Sequence, residues 1–155
     1  MNIIRGAVIE TNNQHKKHVK QMSEADRDVI VEFMHNHTLK QKMSYTGHLK
    51  AKIANGDVKI KKGQIRSIFS NLNGSIIEYN VTNNSPRVIL RSLSTTEEVV
   101  HNRLQNVQLC VIIDLLTLTF VSAYYNIEGD THSSIDYTRY DKDMVVDPYR
   151  YLKEK

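Results

Sequence analysis

Gln108-Leu109-Cys110-Val111-Ile112-Ile113-Asp114-Leu115 is a nearly continuous apolar run, and the chain returns from it as Leu118-Thr119-Phe120-Val121-Ser122-Ala123-Tyr124-Tyr125. A short unbroken apolar run rich in β-branched residues reads as a central strand. The returning segment reads as its antiparallel neighbour, with Leu116-Thr117 at the turn, although that pair lacks the usual Asn-Gly chemistry. Upstream, residues 75–82 alternate as a strand does, Asn83-Asn84-Ser85-Pro86 interrupts with turn residues, and residues 87–93 form a further strand. Residues 94–107 are polar and carry the acid pair Glu97-Glu98, so they are expected to form a long connection or a short helix.

The first third of the chain has a different period. Ser23-Glu24-Ala25-Asp26 has the layout of a capping box, and Val29, Ile30, Phe33 and Met34 recur at helical spacing, predicting a helix that ends near His35 to His37. A second helix is expected from Ser44 or Thr46, with Leu49 and Ile53 on one face and Asn55-Gly56 closing it. Val58 to Ile60 reads as a short strand, and residues 64–72 fit helix or strand equally. Helices followed by antiparallel strands predict an α+β fold, with N-terminal helices packed on a four-stranded or larger sheet. A chain of 155 residues suits one domain. Its expected parts are a helical part over 15–56, a sheet part over 58–126, and a C-terminal loop with a short helix over 127–155.

No apolar run approaches the ~18 residues a membrane span needs, so no membrane partner is expected. The opening Met1-Asn2-Ile3-Ile4-Arg5-Gly6 lacks the long apolar region of a secretory signal, which predicts a cytoplasmic protein. Cys110 is the single cysteine, expected to be a buried small apolar residue, and one cysteine excludes an internal disulfide or a cysteine-based zinc cage. Neither a metal nor another cofactor is expected. His15-x-x-His18 would align two ligands only on a helix and has no third partner, so it reads as basic surface. Gly-rich phosphate loops, a dinucleotide fingerprint and a nucleophile elbow are all missing from the sequence.

Charge is unevenly spread around a net +4. Lys40, Lys42, Lys50, Lys52, Lys59, Lys61, Lys62 and Arg66 face only Asp57 in their stretch, whereas residues 127–147 are acidic. Such a basic half suits a phosphate-bearing partner, RNA or DNA, or else a solvated lysine-rich surface. Lys50, Lys52, Lys61, Lys62 and Arg66 are the candidate nucleic-acid contacts. Arg87 and Arg91 are four apart in a strand and so emerge on one face with Ile89, where they need an anion or a nearby acid such as Glu78. Guanidinium is the natural phosphate clamp, and imidazole the natural proton carrier near neutral pH. His132, in Asp130-Thr131-His132-Ser133-Ser134-Ile135-Asp136, is the first choice for proton transfer, or Ser133 or Ser134 there caps a short helix. Tyr124 and Tyr125 must point to opposite faces, so one of them belongs to the core.

Ile76-Ile77-Glu78-Tyr79-Asn80, Arg87-Val88-Ile89-Leu90-Arg91, Val111-Ile112-Ile113-Asp114 and Val121-Ser122-Ala123-Tyr124-Tyr125, in that order, resemble the barnase–EndoU–colicin–RelE-like nuclease superfamily. The likeness is to its phage-encoded members and toxin C-termini and covers roughly residues 45–140. It implies a small helical segment before a four-stranded antiparallel sheet and a metal-independent cleavage of nucleic acid, RNA above all, with nicking of abasic DNA as a variant. It would set His48 or Lys50 opposite Arg87 or Arg91, bring Ser122 and Tyr124 from the last strand, and add His132 from the loop beyond. Ser122 stands where threonine is common, which keeps the hydroxyl. The competing expectation is a phage-type protein that binds nucleic acid or inhibits a host protein without catalysis.

Overall fold

The computed structural model describes residues 15–127 and 139–152. The fold is α+β, as expected: helices from the N-terminal half cover one face of a mostly antiparallel seven-stranded sheet. The strands are β1 (Lys16–His18), β2 (Ser44–Tyr45), β3 (Ile76–Thr82), β4 (Ser85–Arg91), β5 (Thr96–Val100), β6 (Arg103–Asp114) and β7 (Thr119–Ile127). The helices are α1 (Glu24–Asn36), α2 (Gly47–Ala54), α3 (Lys62–Ser70) and the single turn α4 (Leu72–Ser75). Strand order is β1-β3-β4-β6-β7-β2, with β5 paired to β6 alone and β2 the one parallel neighbour.

Local chemistry explains the helix boundaries. Ser23 Oγ accepts from the Asp26 amide at 3.1 Å while Asp26 Oδ2 accepts from the Ser23 amide at 3.2 Å, the reciprocal cap that starts α1. Thr46 Oγ1 caps α2 by accepting from the Leu49 amide at 3.2 Å and donates to the Val121 carbonyl at 2.7 Å, which ties the helix to β7. Gly56 ends that helix at φ 78°, a conformation only glycine enters without strain.

The core lies between the helices and one sheet face. Ile30, Phe33 and Met34 of α1, Leu49 of α2 and Ile68 of α3 meet Tyr79, Val88, Leu90, Leu109, Val111, Ile113, Phe120 and Ala123. Each fully buried large apolar side chain here contributes about 1.5–3 kcal/mol relative to exposure.

Several expectations need correction. Val58 to Ile60 is unpaired chain, not a strand; Val58 is buried and the Lys59 amide donates to Tyr125 Oη at 2.8 Å. The ambiguous 64–72 stretch lies mostly in α3. Residues 94–107 form neither loop nor helix but the β5–β6 hairpin, which turns at His101 (φ 53°) and Asn102 (φ 62°). Both strands there are largely exposed, which removes the apolar alternation that marks a strand. His15-x-x-His18 is basic surface only in part: His15 is exposed, but residues 16–18 are a strand and His18 is 2 % exposed. The expected helical part over 15–56 thus also supplies two edge strands, β1 and β2. The short helix expected near Ile135 lies outside the described residues, apart from its end.

Candidate active site on the second sheet face

Strand parity sorts β4 cleanly. Pro86, Val88 and Leu90 face the core, and Arg87, Ile89 and Arg91 face the other side. The register then aligns their neighbours. Arg87 stands between Asn80 and Asp114, Ile89 between Glu78 and Ile112, and Arg91 beside Cys110. On β7, Ser122 lies opposite Ile112 and Tyr124 opposite Cys110. At the far edge Lys16 pairs with Asn80 and His18 with Glu78. One row across this face therefore reads His18, Glu78, Ile89, Ile112, Ser122, with Arg87 and Arg91 on either side of it.

Two β-bulges make the row possible. Ile76 pairs with Leu90 but Glu78 with the adjacent Ile89, so Ile77 is an extra residue; Phe120 pairs with Ile113 but Ser122 with Ile112, so Val121 is extra. Each bulge reverses the parity of its strand, sending Glu78 in β3, and Ser122 and Tyr124 in β7, to the face that carries the arginines.

Glu78 is the hub of the polar contacts. It is 7 % exposed; Oε1 accepts from Tyr140 Oη at 2.8 Å and Oε2 from Asn80 Nδ2 at 2.9 Å. The Tyr140 ring lies edge-on to His18, centroids 5.7 Å apart, and Lys16 Nζ sits 4.6 Å from its centroid. His18 Nδ1 accepts from the Lys20 amide at 3.1 Å, which puts the proton of the neutral ring on Nε2. Asp114 lies beside Arg87, yet its carboxylate is engaged by Ser85 Oγ at 2.6 Å and the Leu116 amide at 2.9 Å. Arg87 Nε is buried and meets no acceptor among the described residues. Burial, aided by Cys110, Glu78 and Tyr140, pushes the Tyr124 hydroxyl far above the usual phenol range. Tyr124 is therefore a hydrogen-bond donor and not a base.

Arg87, Arg91, Ser122 and Tyr124 thus share one face, and Tyr125 turns to the core as the second of its pair. His48 and Lys50 do not join them. Both are exposed on α2, whose Leu49 is buried in the core on the helix side of the sheet. Lys52 Nζ is spent on the Ala123 carbonyl at 2.6 Å, and Lys61 Nζ on Glu98 at 2.9 Å. Lys62 and Arg66 stand exposed on α3. His132 lies outside the described residues. Sequence reasoning missed His18 and Tyr140, and gave Glu78 only the part of a counter-ion. The signal available for Glu78 was an acid inside an apolar strand, where an unpartnered carboxylate is costly.

Among the described residues no cluster of three His, Cys, Asp or Glu is placed to hold a metal ion, and no helix is long and apolar enough to cross a membrane. No family model matches the chain, and no curated protein or solved structure matches it either.

Proposed function

We propose that the protein is a nuclease that cleaves RNA phosphodiesters by acid–base chemistry on the second sheet face. The observation that carries this reading is the bracketing of a carboxylate–imidazole row by two guanidinium groups, one of which buries an Nε–H with no acceptor among the described residues. A buried charged donor left unpaired is costly, and a phosphate oxygen removes that cost. In the proposed step Glu78 takes the proton of the ribose 2′-hydroxyl, O2′ bonds to phosphorus, and the P–O5′ bond breaks. The leaving O5′ takes its proton from a histidine, the Nε2–H of His18 in the row or the ring of His132 beyond β7. Arg87 and Arg91 hold the equatorial oxygens as their charge grows, and neutral Tyr124 donates to the same centre. A cytoplasmic setting, that of a host cell for a phage-encoded protein, fits this substrate.

A binding module without catalysis is the second reading. It is favoured by Glu78, both of whose oxygens already accept a hydrogen bond. The test is incubation of the purified chain with RNA, intact DNA and abasic DNA in excess chelator, followed by the same assay with Glu78→Gln, His18→Ala and His132→Ala. Cleavage of RNA to a 2′,3′-cyclic phosphate, lost in Glu78→Gln with folding retained, supports the enzyme. RNA bound but left whole by the native chain supports the binder, and activity that returns only with added magnesium overturns the metal-free step.

A further inference from the structure

A slot of about 430 Å³ opens on the helix side of the molecule, lined by Met43, Tyr45, Ile60, Lys62, Ile65 and Arg66. That volume suits one small organic group. Tyr45, Ile60 and Ile65 form an apolar floor packed against the core, and the Tyr45 ring is fixed by Phe120, centroids 5.4 Å apart. Met43 is 48 % exposed at the rim. Lys62 and Arg66 are four apart on α3, hence on one side of the helix with Cβ atoms about 5–6 Å apart, a spacing that suits successive anions of one chain. Among the described residues no acid lines the slot, and α3 has neither an acid in its first turn nor a side-chain cap. The cations select an anionic occupant. The apolar floor disfavours a bare inorganic anion and calls for a ligand with a flat apolar part and charges along its length.

We infer that this slot is a second nucleic-acid contact, taking one base of a single strand against Tyr45 and its phosphates on Lys62 and Arg66. The inference rests on the nuclease reading for its biological sense, though not for its test. Geometry links the two sites. β2 is the sheet edge beside β7, and Ser44 Oγ lies 3.0 Å from Thr119 Oγ1. A strand leaving the arginine face near Ser122 rounds that single edge to reach Tyr45. The rival occupant is an acidic peptide with an apolar anchor. A single strand is favoured because an aromatic ring meets any base by stacking, and because Arg87 and Arg91 already offer phosphate chemistry on the adjoining face.

The probe is a labelled single-stranded RNA decamer, with a dinucleotide as the short control, measured by fluorescence anisotropy on the Glu78→Gln chain. Lys62→Ala combined with Arg66→Ala should weaken decamer binding at least about tenfold and lower its salt slope by about 1.4, from two lost single-strand phosphate contacts. Dinucleotide binding should not change. Tyr45→Leu, which keeps the floor apolar, should weaken the decamer at least about fivefold, from the lost stacking. In the native background the Lys62/Arg66 pair of changes should slow cleavage of long RNA and spare the dinucleotide. A native chain that binds the decamer through the slot but cuts nothing leaves this inference standing and removes the nuclease reading. Cleavage and decamer affinity both unchanged in the Lys62/Arg66 variant overturn the slot and leave the nuclease. Loss of affinity for an acidic, apolar-anchored peptide alone also overturns it, in favour of a protein partner.

Discussion

Alkaline pH should unfold this protein through two tyrosines. Burial, reinforced by Tyr151 and Asp147, holds the Tyr79 hydroxyl far above its ordinary range, and burial with Cys110, Glu78 and Tyr140 does the same for Tyr124. Below pH ~10 both states keep these protons and the tyrosines add no pH dependence. Above it the unfolded chain releases them while the folded chain does not, so the unfolded state binds fewer protons and stability falls as pH rises. Each retained proton costs about 1.4 kcal/mol per pH unit. Tyr79 is fully buried and contributes all of that; Tyr124 is half-buried and contributes up to as much. The slope should therefore start near zero at about pH 9 and approach a limit of about 1.4 to 2.7 kcal/mol per pH unit above about pH 11, against a total stability of about 5–15 kcal/mol for a domain of this kind. Urea unfolding followed by circular dichroism from about pH 9 to about pH 12 follows that rise to its limit, and phenolate absorbance counts the tyrosines that ionise while the fold persists. Tyr79→Phe keeps the ring and should remove about 1.4 kcal/mol per unit from the slope. If all eight tyrosines ionise at the ordinary midpoint in the still-folded chain, or Tyr79→Phe and Tyr124→Phe both leave the slope unchanged, the reasoning fails. The case of Tyr124 bears on chemistry too, because only a phenol that keeps its proton can donate to a phosphate.

Asp26→Ala should cost about 2–3 kcal/mol in urea or thermal unfolding, because Lys17, with its side chain 9 % exposed, loses its 2.8 Å partner and α1 loses half its cap. That strap anchors β1, so the variant should also lose whatever His18 contributes to activity. Arg87→Met should leave stability in anion-free buffer within about 1 kcal/mol, since the guanidinium buries an unsatisfied Nε–H, while lowering turnover about 10²–10³-fold; a large loss of stability would make Arg87 structural. Asn84→Gly and Asn102→Gly should each raise the unfolding free energy by about 0.5 kcal/mol and alanine at either should lower it by about 1 kcal/mol, because both sit at φ near +60°. An opposite order in thermal melts would show that the asparagine side chains hold the turns.

Much of the fold was legible because local signals agreed. The capping box at Ser23, the Leu49–Ile53 stripe closed by Gly56, and the apolar run of β6 each state their element in a few residues. The β5–β6 hairpin was not legible, because solvent on both sides let polar residues occupy it and its turn uses His101-Asn102. β1 and β2 were hidden for another reason. Three- and two-residue edge strands carry no period, and Lys16 pairs with Asn80, a partner far along the chain that no local signal names.

The site follows the same division, with one further twist. Arg87 and Arg91 were assigned to one face correctly because β4 is regular, so counting by two suffices. Counting by two along β7 puts Ser122 on the side of Phe120, which is the core, and along β3 puts Glu78 on the side of Ile76. Both assignments fail because Val121 and Ile77 are extra residues that no propensity announces. His48 failed in the converse way. Its helix was read correctly, but the burial of Leu49 directs that helix toward the core and strands its neighbour in solvent. What sequence periodicity conveys is which side chains travel together. Which groups then meet was decided by two single-residue bulges, and both of them turn polar side chains toward the arginines.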